Sequence, residues 1–102
     1  MEFVLNEKTL TAIKEDTGAL FLKIMECVSW AGTSISLWSG VSNPKKENLS
    51  RFNEYEHQGV KIYIEKRLKT QDTIHIDVNP KFLFFKPSFR VRGVEVPKHQ
   101  TF

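Results

Sequence analysis

Residues 20–27 read LFLKIMEC, and this stretch decides the fold of the chain. Successive side chains of an extended strand point to opposite faces, so Leu20, Leu22 and Ile24 share one face while the residues between them occupy the other. Both faces are largely apolar, which is typical of a strand buried within a sheet. We therefore predict a central strand at this position.

A second strand follows after a turn-like stretch at residues 30–33. Ile35 and Leu37 alternate with serines, and the pattern continues toward Trp38 and Gly40. Alternation of apolar and polar residues predicts a half-buried strand, and the short separation from the first strand predicts an antiparallel hairpin. The polar loop at residues 42–48 is too short to separate two domains.

One helix is predicted near the N-terminus, after a short extended start that contains Phe3. Asn6 is a favourable N-cap, and Glu7 places a negative charge in the first turn. The helix is expected to reach about Asp16, because Gly18 is a typical residue just beyond a helix C-terminus. Its apolar face is expected to consist of Leu10, Ile13 and Thr17.

The second half of the chain is dominated by strand patterns. Val60, Ile62 and Ile64 alternate with polar residues and predict a half-buried strand, and residues 65–70 are expected to form a short second helical turn. Further extended segments are predicted at residues 74–78, 82–85 and 89–96. The fold class is therefore α+β and β-rich, with a single domain over residues 1–96 and a polar tail at 97–102.

Length and composition limit the class of protein. The 102 residues are 40% hydrophobic and 26% charged, which suits one globular domain. One cysteine excludes an internal disulfide, no apolar run reaches the roughly 18 residues of a membrane span, and the N-terminus lacks a signal-peptide pattern. We expect a cytoplasmic protein with no membrane partner.

The net charge of +3 lies in the second half of the chain, which has nine Lys and Arg against six Asp and Glu from Phe52 onward. Basic residues among phenylalanines can mark a nucleic-acid surface, because cations bind phosphates while rings stack on bases. The excess is small for a nucleic-acid binder, so a strand with Phe inward and basic residues in solvent is favoured. The candidate nucleic-acid residues are Lys81, Lys86, Arg90 and Arg92.

A family resemblance emerges from four segments taken together. The start at residues 3–6, the strand at 20–24, the loop at 29–32 and the segment HQGVKIYI at 57–64 resemble the HesB/IscA-like family, the A-type carriers of iron–sulfur cluster biosynthesis. The resemblance implies a compact β-sandwich with few helices, often assembled as a homodimer. It covers most of the chain up to Val96.

The chain departs from this family at the cluster ligands. Members that carry clusters use one cysteine in the loop after the first long strand and a Cys-x-Cys pair near the C-terminus. Here the loop reads SWAG, and the last ten residues contain no cysteine. An ordinary cluster takes four thiolates, so no cofactor is expected, and iron or a cluster is conceivable only through an intersubunit site.

Cys27 is the one candidate metal ligand or sulfur carrier, against the alternative of a small buried thiol on a core strand, which is the favoured interpretation. His57, His75 and His99 lack the spacing of zinc sites, so we interpret each as solvated. No catalytic motif is present, and we do not expect an enzyme.

Two functions follow as expectations. The first is a non-enzymatic HesB/IscA-like accessory module that contacts a protein partner through the hairpin carrying Trp30 and Trp38. The alternative is a small basic nucleic-acid-binding β-domain. A third, less specific possibility is a subunit whose exposed apolar surface serves only to dimerise.

Overall fold

The computed structural model describes residues 1–79 and 88–97 and contains one α-helix and seven strands in that part of the chain. The predicted strands at residues 82–85 and the tail from Lys98 lie outside the described residues. The elements are β1 (Glu2–Leu5), α1 (Glu7–Lys14), β2 (Ala19–Ser29), β3 (Gly32–Val41), β4 (Phe52–His57), β5 (Val60–Glu65), β6 (Lys69–Asn79) and β7 (Ser88–Glu95).

The strands form two mixed sheets. One has three strands in the order β1-β6-β7, and the other has four in the order β3-β2-β5-β4. The β1–β6 and β2–β5 pairs are parallel, whereas the hairpin pairs β2–β3, β4–β5 and β6–β7 are antiparallel. β2 is a central strand, and the predicted hairpin and β-rich α+β class are confirmed.

The two sheets and the helix share one hydrophobic core. Ile13 from α1, Leu20 from β2, Ile62 from β5 and Ile74 from β6 are all fully buried within it. A second, smaller cluster forms on the other face of the four-stranded sheet, where Phe21 stacks on Tyr63 with ring centroids 4.6 Å apart. β5 is therefore buried on both faces from Ile62 to Glu65, and the prediction of a half-buried strand is wrong there.

Helix α1 begins as predicted and ends two residues early. The Asn6 side chain accepts a hydrogen bond from the Thr9 backbone N–H, and Gly18 adopts a φ of 76° just beyond the helix. Thr17 is exposed and lies outside the helix, so its predicted place on the apolar face is wrong; Thr9 is the third buried residue. Within the described residues, no helix has the length and apolarity to cross a membrane.

Thr9 joins the helix to the three-stranded sheet. Its hydroxyl donates to Asn6 Oδ1 at 2.8 Å and accepts from the Val78 backbone N–H at 2.9 Å. Replacing Thr9 by valine leaves that N–H without an acceptor, so we expect a loss of about 1–3 kcal/mol in the free energy of unfolding, measured by urea denaturation. Thr11→Val, at an exposed position of the same helix, should change stability by less than about 0.5 kcal/mol. Equal losses for the two variants would contradict this role.

The short helical turns lie elsewhere than predicted. Two 3-10 turns occupy Pro44–Lys46 and Leu49–Arg51, and the first begins at a proline after the capping side chain of Asn43. At residues 65–70 the chain instead makes a turn, in which the Leu68 N–H donates to the Glu65 carbonyl, and β6 begins at Lys69. Sheet pairing of Lys69 with Glu95 takes precedence over the local helical preference.

An irregularity interrupts the pairing of β6 with β7 between Thr70 and His75. Opposite it, Gly93 has a φ of 94°, and its Cα lies so close to β6 that an added Cβ would collide with the Thr73 carbonyl oxygen. Only glycine fits this backbone conformation and this close approach without strain.

Candidate functional site

The β2–β3 hairpin continues beyond the body of the molecule. In residues 25–36 every side chain is exposed except the half-buried Ile35, whereas the inner residues of β2, from Ala19 to Leu22, are buried. We call residues 25–36 the arm. Five residue pairs, from Met25–Ser36 to Ser29–Gly32, make it a two-stranded ribbon.

The arm begins just beyond the end of β5, the strand that pairs with the inner part of β2. β5 pairs with β2 only from Ala19 to Leu22, because the chain turns after Glu65. The next backbone donor on this side of β2, the Ile24 N–H, donates to the Glu65 carboxylate at 2.7 Å. A side chain thus takes the place of the missing strand.

Glu65 is held by two arginines at the root of the arm. The residue is 3% exposed, and its Oε1 accepts from Arg51 Nη2 at 3.1 Å and from Arg67 Nη2 at 2.6 Å. Burial by itself raises the pKa of Glu65, but the hydrogen bonds from Arg67 and Ile24 and the charges of Arg67 and Arg51 outweigh it and lower the pKa. The carboxylate is therefore ionised and fully bonded at neutral pH.

A second ion pair lies beside the first. Lys23 Nζ is 3.3 Å from Glu47 Oε1 and 4.6 Å from the centroid of the Trp38 ring, and the Ser42 hydroxyl donates to the same Glu47 oxygen at 3.0 Å. Lys23, Glu47 and Glu65 border a half-open pocket of about 160 Å³. Its cations and carboxylates are paired with one another. These ion pairs therefore hold the base of the arm to the body of the molecule.

One face of the arm carries the thiol. Cys27 is exposed and lies directly opposite Ser34, with the Met25–Ser36 pair on one side and Ser29 on the other. The interpretation of Cys27 as a buried core thiol is wrong, because β2 has left the core before this residue is reached. The thiol lies open to solvent among small hydroxyl groups.

The tip of the arm is apolar and exposed, and the face opposite Cys27 carries Val28 and Ile35 together with Thr33 and Glu26. Trp30 is 100% exposed and Val28 is 77% exposed, and Ile35 is half-buried on the same face as Val28. The one charged residue of the arm, Glu26, is 3.9 Å from Arg67. Exposed apolar side chains of this size, clustered on one element, are typical of interaction sites.

The two tryptophans of the predicted partner site have different surroundings. Trp30 forms the tip, whereas Trp38 is half-buried at the root and packs against the cluster of Phe21, Phe52 and Tyr63. Of the two tryptophans, only Trp30 is fully free to contact another molecule.

Tyr63, a member of this cluster, donates to Glu54 Oε1 at 2.7 Å, and burial together with this bond raises the pKa of Tyr63 to about 12.

The candidate metal ligands are not brought together. Within residues 1–79 and 88–97, no three side chains of His, Cys, Asp or Glu lie close enough to hold a metal ion. His75 is half-buried on β6, and His57 is half-buried with its ring centroid 6.2 Å from that of Phe3, so it is less solvated than predicted. His99 lies outside the described residues. The described donors therefore do not fit an iron–sulfur cluster.

The candidate nucleic-acid residues are described only in part. Arg90 and Arg92 are exposed on β7, opposite Asp77 and His75 respectively, and the intervening Phe89 and Val91 are buried and half-buried. Lys81 and Lys86 lie outside the described residues. The alternation at 89–92 agrees with Phe inward and Arg in solvent, and nucleic-acid binding stays a prediction.

Sequence patterns did not identify Glu65 or its partners. Glu65 directly follows the alternating strand residues and resembles an ordinary charged strand end, and Arg51 is distant in sequence. The available signal is the run Glu65-Lys66-Arg67, in which an acid at the end of an apolar strand is followed by two cations, but it does not distinguish a buried carboxylate from a solvated one.

Comparison with known proteins identifies a family and similarity to a solved structure. A family model described as the CC/Se motif containing family matches residues 1–94. The crystal structure of Escherichia coli SufA, a protein involved in biosynthesis of iron–sulfur clusters, aligns with a TM-score of 0.48 at 19% identity, over 97% of this chain and 83% of SufA. No curated protein matches the sequence.

Proposed function

We propose a function from two premises: the chain belongs to the CC/Se motif containing family, and an exposed arm projects from its body. The protein is a non-enzymatic accessory module that docks another polypeptide chain through the arm. The contacts come from Trp30 at the tip and Val28 near it, with Cys27 on the opposite face.

The observation that carries the proposal is the exposure of the arm. Six large apolar side chains are exposed within the described residues, and three of them, Met25, Val28 and Trp30, belong to these twelve residues. An isolated two-stranded ribbon is marginally stable in water, so it gains order when a partner covers it. Tryptophan is also among the residues most enriched at the energetic centres of interfaces.

The connection with iron–sulfur cluster biosynthesis rests on the resemblance of residues 3–64 to HesB/IscA-like proteins. The family description refers to a CC/Se motif, whereas the 102 residues contain no pair of adjacent cysteines. A single thiol supplies one of the four ligands of an ordinary cluster. The proposed role is therefore that of a partner-binding accessory, and any site for iron would need thiolates from another subunit.

The arm is tested by cross-linking from its own thiol. A photoactivatable maleimide attached to Cys27 places the reactive group within the proposed contact surface. We expect a discrete cross-linked product in extract from the source cells, identified by mass spectrometry. Trp30→Ala should reduce its yield about tenfold or more, as for a central interface tryptophan.

Leu49→Ala is the matched control, because Leu49 is 42% exposed and lies outside the arm. It should leave the yield unchanged, and an equal loss in both variants would contradict docking through the arm. Iron and acid-labile sulfide are measured in the same protein purified without oxygen, alongside Cys27→Ala. Stoichiometric iron that disappears in this variant would replace the accessory role by direct cluster binding.

A further inference from the structure

The half-open pocket at the base of the arm has the size of a small-molecule site. Its volume is about 160 Å³, which is the space of about five water molecules at roughly 30 Å³ each. Pockets for drug-sized ligands usually exceed about 300 Å³. The pocket therefore suits a ligand of about six non-hydrogen atoms, similar in size to the water it would displace.

Charges of both signs line this pocket in equal number. Lys23 and Arg51 contribute two positive charges, and Glu47 and Glu65 contribute two negative charges. A simple anion in the pocket would lie beside both carboxylates, and a simple cation would lie beside both cationic side chains, where like charges repel. A ligand that carries one charge of each sign avoids both penalties.

Arg51 has hydrogen-bond donors beyond those of its ion pair. It donates from Nη2 to Glu65, whereas a guanidinium carries five N–H donors in a planar fork. Its side chain is 58% exposed, so the other donors are accessible from the pocket. The fork matches a carboxylate, which arginine binds through two parallel hydrogen bonds.

Glu47 supplies the complementary acceptor. Lys23 and the Ser42 hydroxyl both donate to its Oε1, and no donor from the described part of the chain is bonded to its Oε2. A carboxylate has about four lone-pair sites, so Oε2 can accept from an ammonium group. The Glu47 side chain is 19% exposed, so water competes for it less than for a surface carboxylate.

The remaining lining includes apolar surface from Phe52, which is buried, and Ile24, which is half-buried. We propose that the pocket binds a free α-amino acid with a short side chain, whose carboxylate is bound by Arg51 and whose ammonium group is bound by Glu47. This site is separate from the surface of the arm, and its occupation does not depend on the proposed docking function.

Titration of L-alanine into ¹⁵N-labelled protein tests the site through amide chemical shifts. We expect saturable shifts at the residues that border the pocket. Propionate and ethylammonium each lack one of the two charged groups of alanine, so both should bind about tenfold more weakly or worse. Propionate that binds as tightly as alanine would overturn the zwitterion, and no saturable shift up to the solubility limit of alanine would overturn the site.

Arg51→Gln and Arg67→Gln form a matched pair of variants. Both arginines donate to Glu65 Oε1 and both are more than half exposed, but of the two only Arg51 borders the pocket. Arg51→Gln should weaken alanine binding about tenfold or more, and Arg67→Gln should change it less than about twofold. Equal weakening would overturn the assignment of Arg51, because both variants remove a partner of Glu65.

Glu47→Gln tests the other end of the ligand. The neutral amide loses the attraction to the ammonium group, so alanine should bind about tenfold more weakly. Urea denaturation of each variant verifies that it is folded under the conditions of the titration. Unchanged alanine binding by folded Glu47→Gln protein would overturn the proposed orientation of the amino acid.

Discussion

Gly93→Ala is expected to lower the free energy of unfolding by about 3–5 kcal/mol, because two penalties combine at this position. Its φ of 94° is disfavoured for a residue with a Cβ. The added methyl group would also meet the Thr73 carbonyl oxygen and the Ile74 Cα, which are backbone atoms that cannot rotate away. The measurement is the urea midpoint and slope, followed by far-ultraviolet circular dichroism.

Gly18→Ala separates the two penalties. Gly18 has a φ of 76°, but no atom lies within 4 Å of an added Cβ. For Gly18→Ala the loss in the free energy of unfolding should therefore be limited to the cost of the backbone conformation, about 1–2 kcal/mol. Similar losses for the two variants would show that β6 moves aside and that the close approach to Thr73 costs little.

Glu65→Leu is expected to cost about 2–4 kcal/mol and to loosen the root of the arm. The leucine removes the acceptor of the Ile24 N–H and leaves Arg51 and Arg67 without their common carboxylate. Both arginines are more than half exposed, so water compensates them in part. Urea denaturation gives the change, and amide exchange at Ile24 reports the lost hydrogen bond.

Glu65→Gln isolates the charge, because its amide oxygen can still accept from Ile24 while the ion pairs are lost. Folding lowers the pKa of Glu65, so the ionised form stabilises the fold above the unfolded-state value of about 4.3. This contribution disappears as pH falls through the lower folded-state pKa. The stability difference between wild type and Glu65→Gln should therefore shrink on acidification.

Glu54→Gln gives the comparison at an exposed carboxylate, because the hydrogen bond from Tyr63 and the pair with Lys61 lower the pKa of Glu54 while its side chain is 53% exposed. Water screens exposed charges, so the pH dependence of stability lost in Glu54→Gln should be weaker than that lost in Glu65→Gln. If Glu65→Gln lowers the free energy of unfolding by the same amount at every pH, the shape of the side chain and not its charge accounts for the role of Glu65.

The core strands were predictable from sequence because their side chains alternate with a period of two. Leu20 and Leu22 mark one buried face of β2, and Ile74 and Ile76 mark β6 in the same way. Asn6 and Gly18 fixed the beginning and the approximate end of the helix, since capping is a local interaction. These signals need no knowledge of distant residues.

The projecting arm was not predictable, because alternation continues along β2 after burial ends. Met25 and Val28 look like core residues in the sequence, and Cys27 between them was assigned to the core for the same reason. Where β5 stops covering β2 depends on the turn after Glu65, some forty residues later in the chain. Burial of Glu65 is equally nonlocal, since Arg51 and Ile24 reach it from separate elements.

The two parts of the continuous strand β2 differ in how easily their backbone hydrogen bonds open. From Ala19 to Leu22 it is bonded on both sides and buried, so its backbone bonds break only when the body unfolds. Beyond Ile24 the same strand is bonded to β3 alone and can open at the tip while the body stays intact. The arm can therefore lengthen or shorten by whole residue pairs during evolution, keeping its faces in register while the folding core is left untouched.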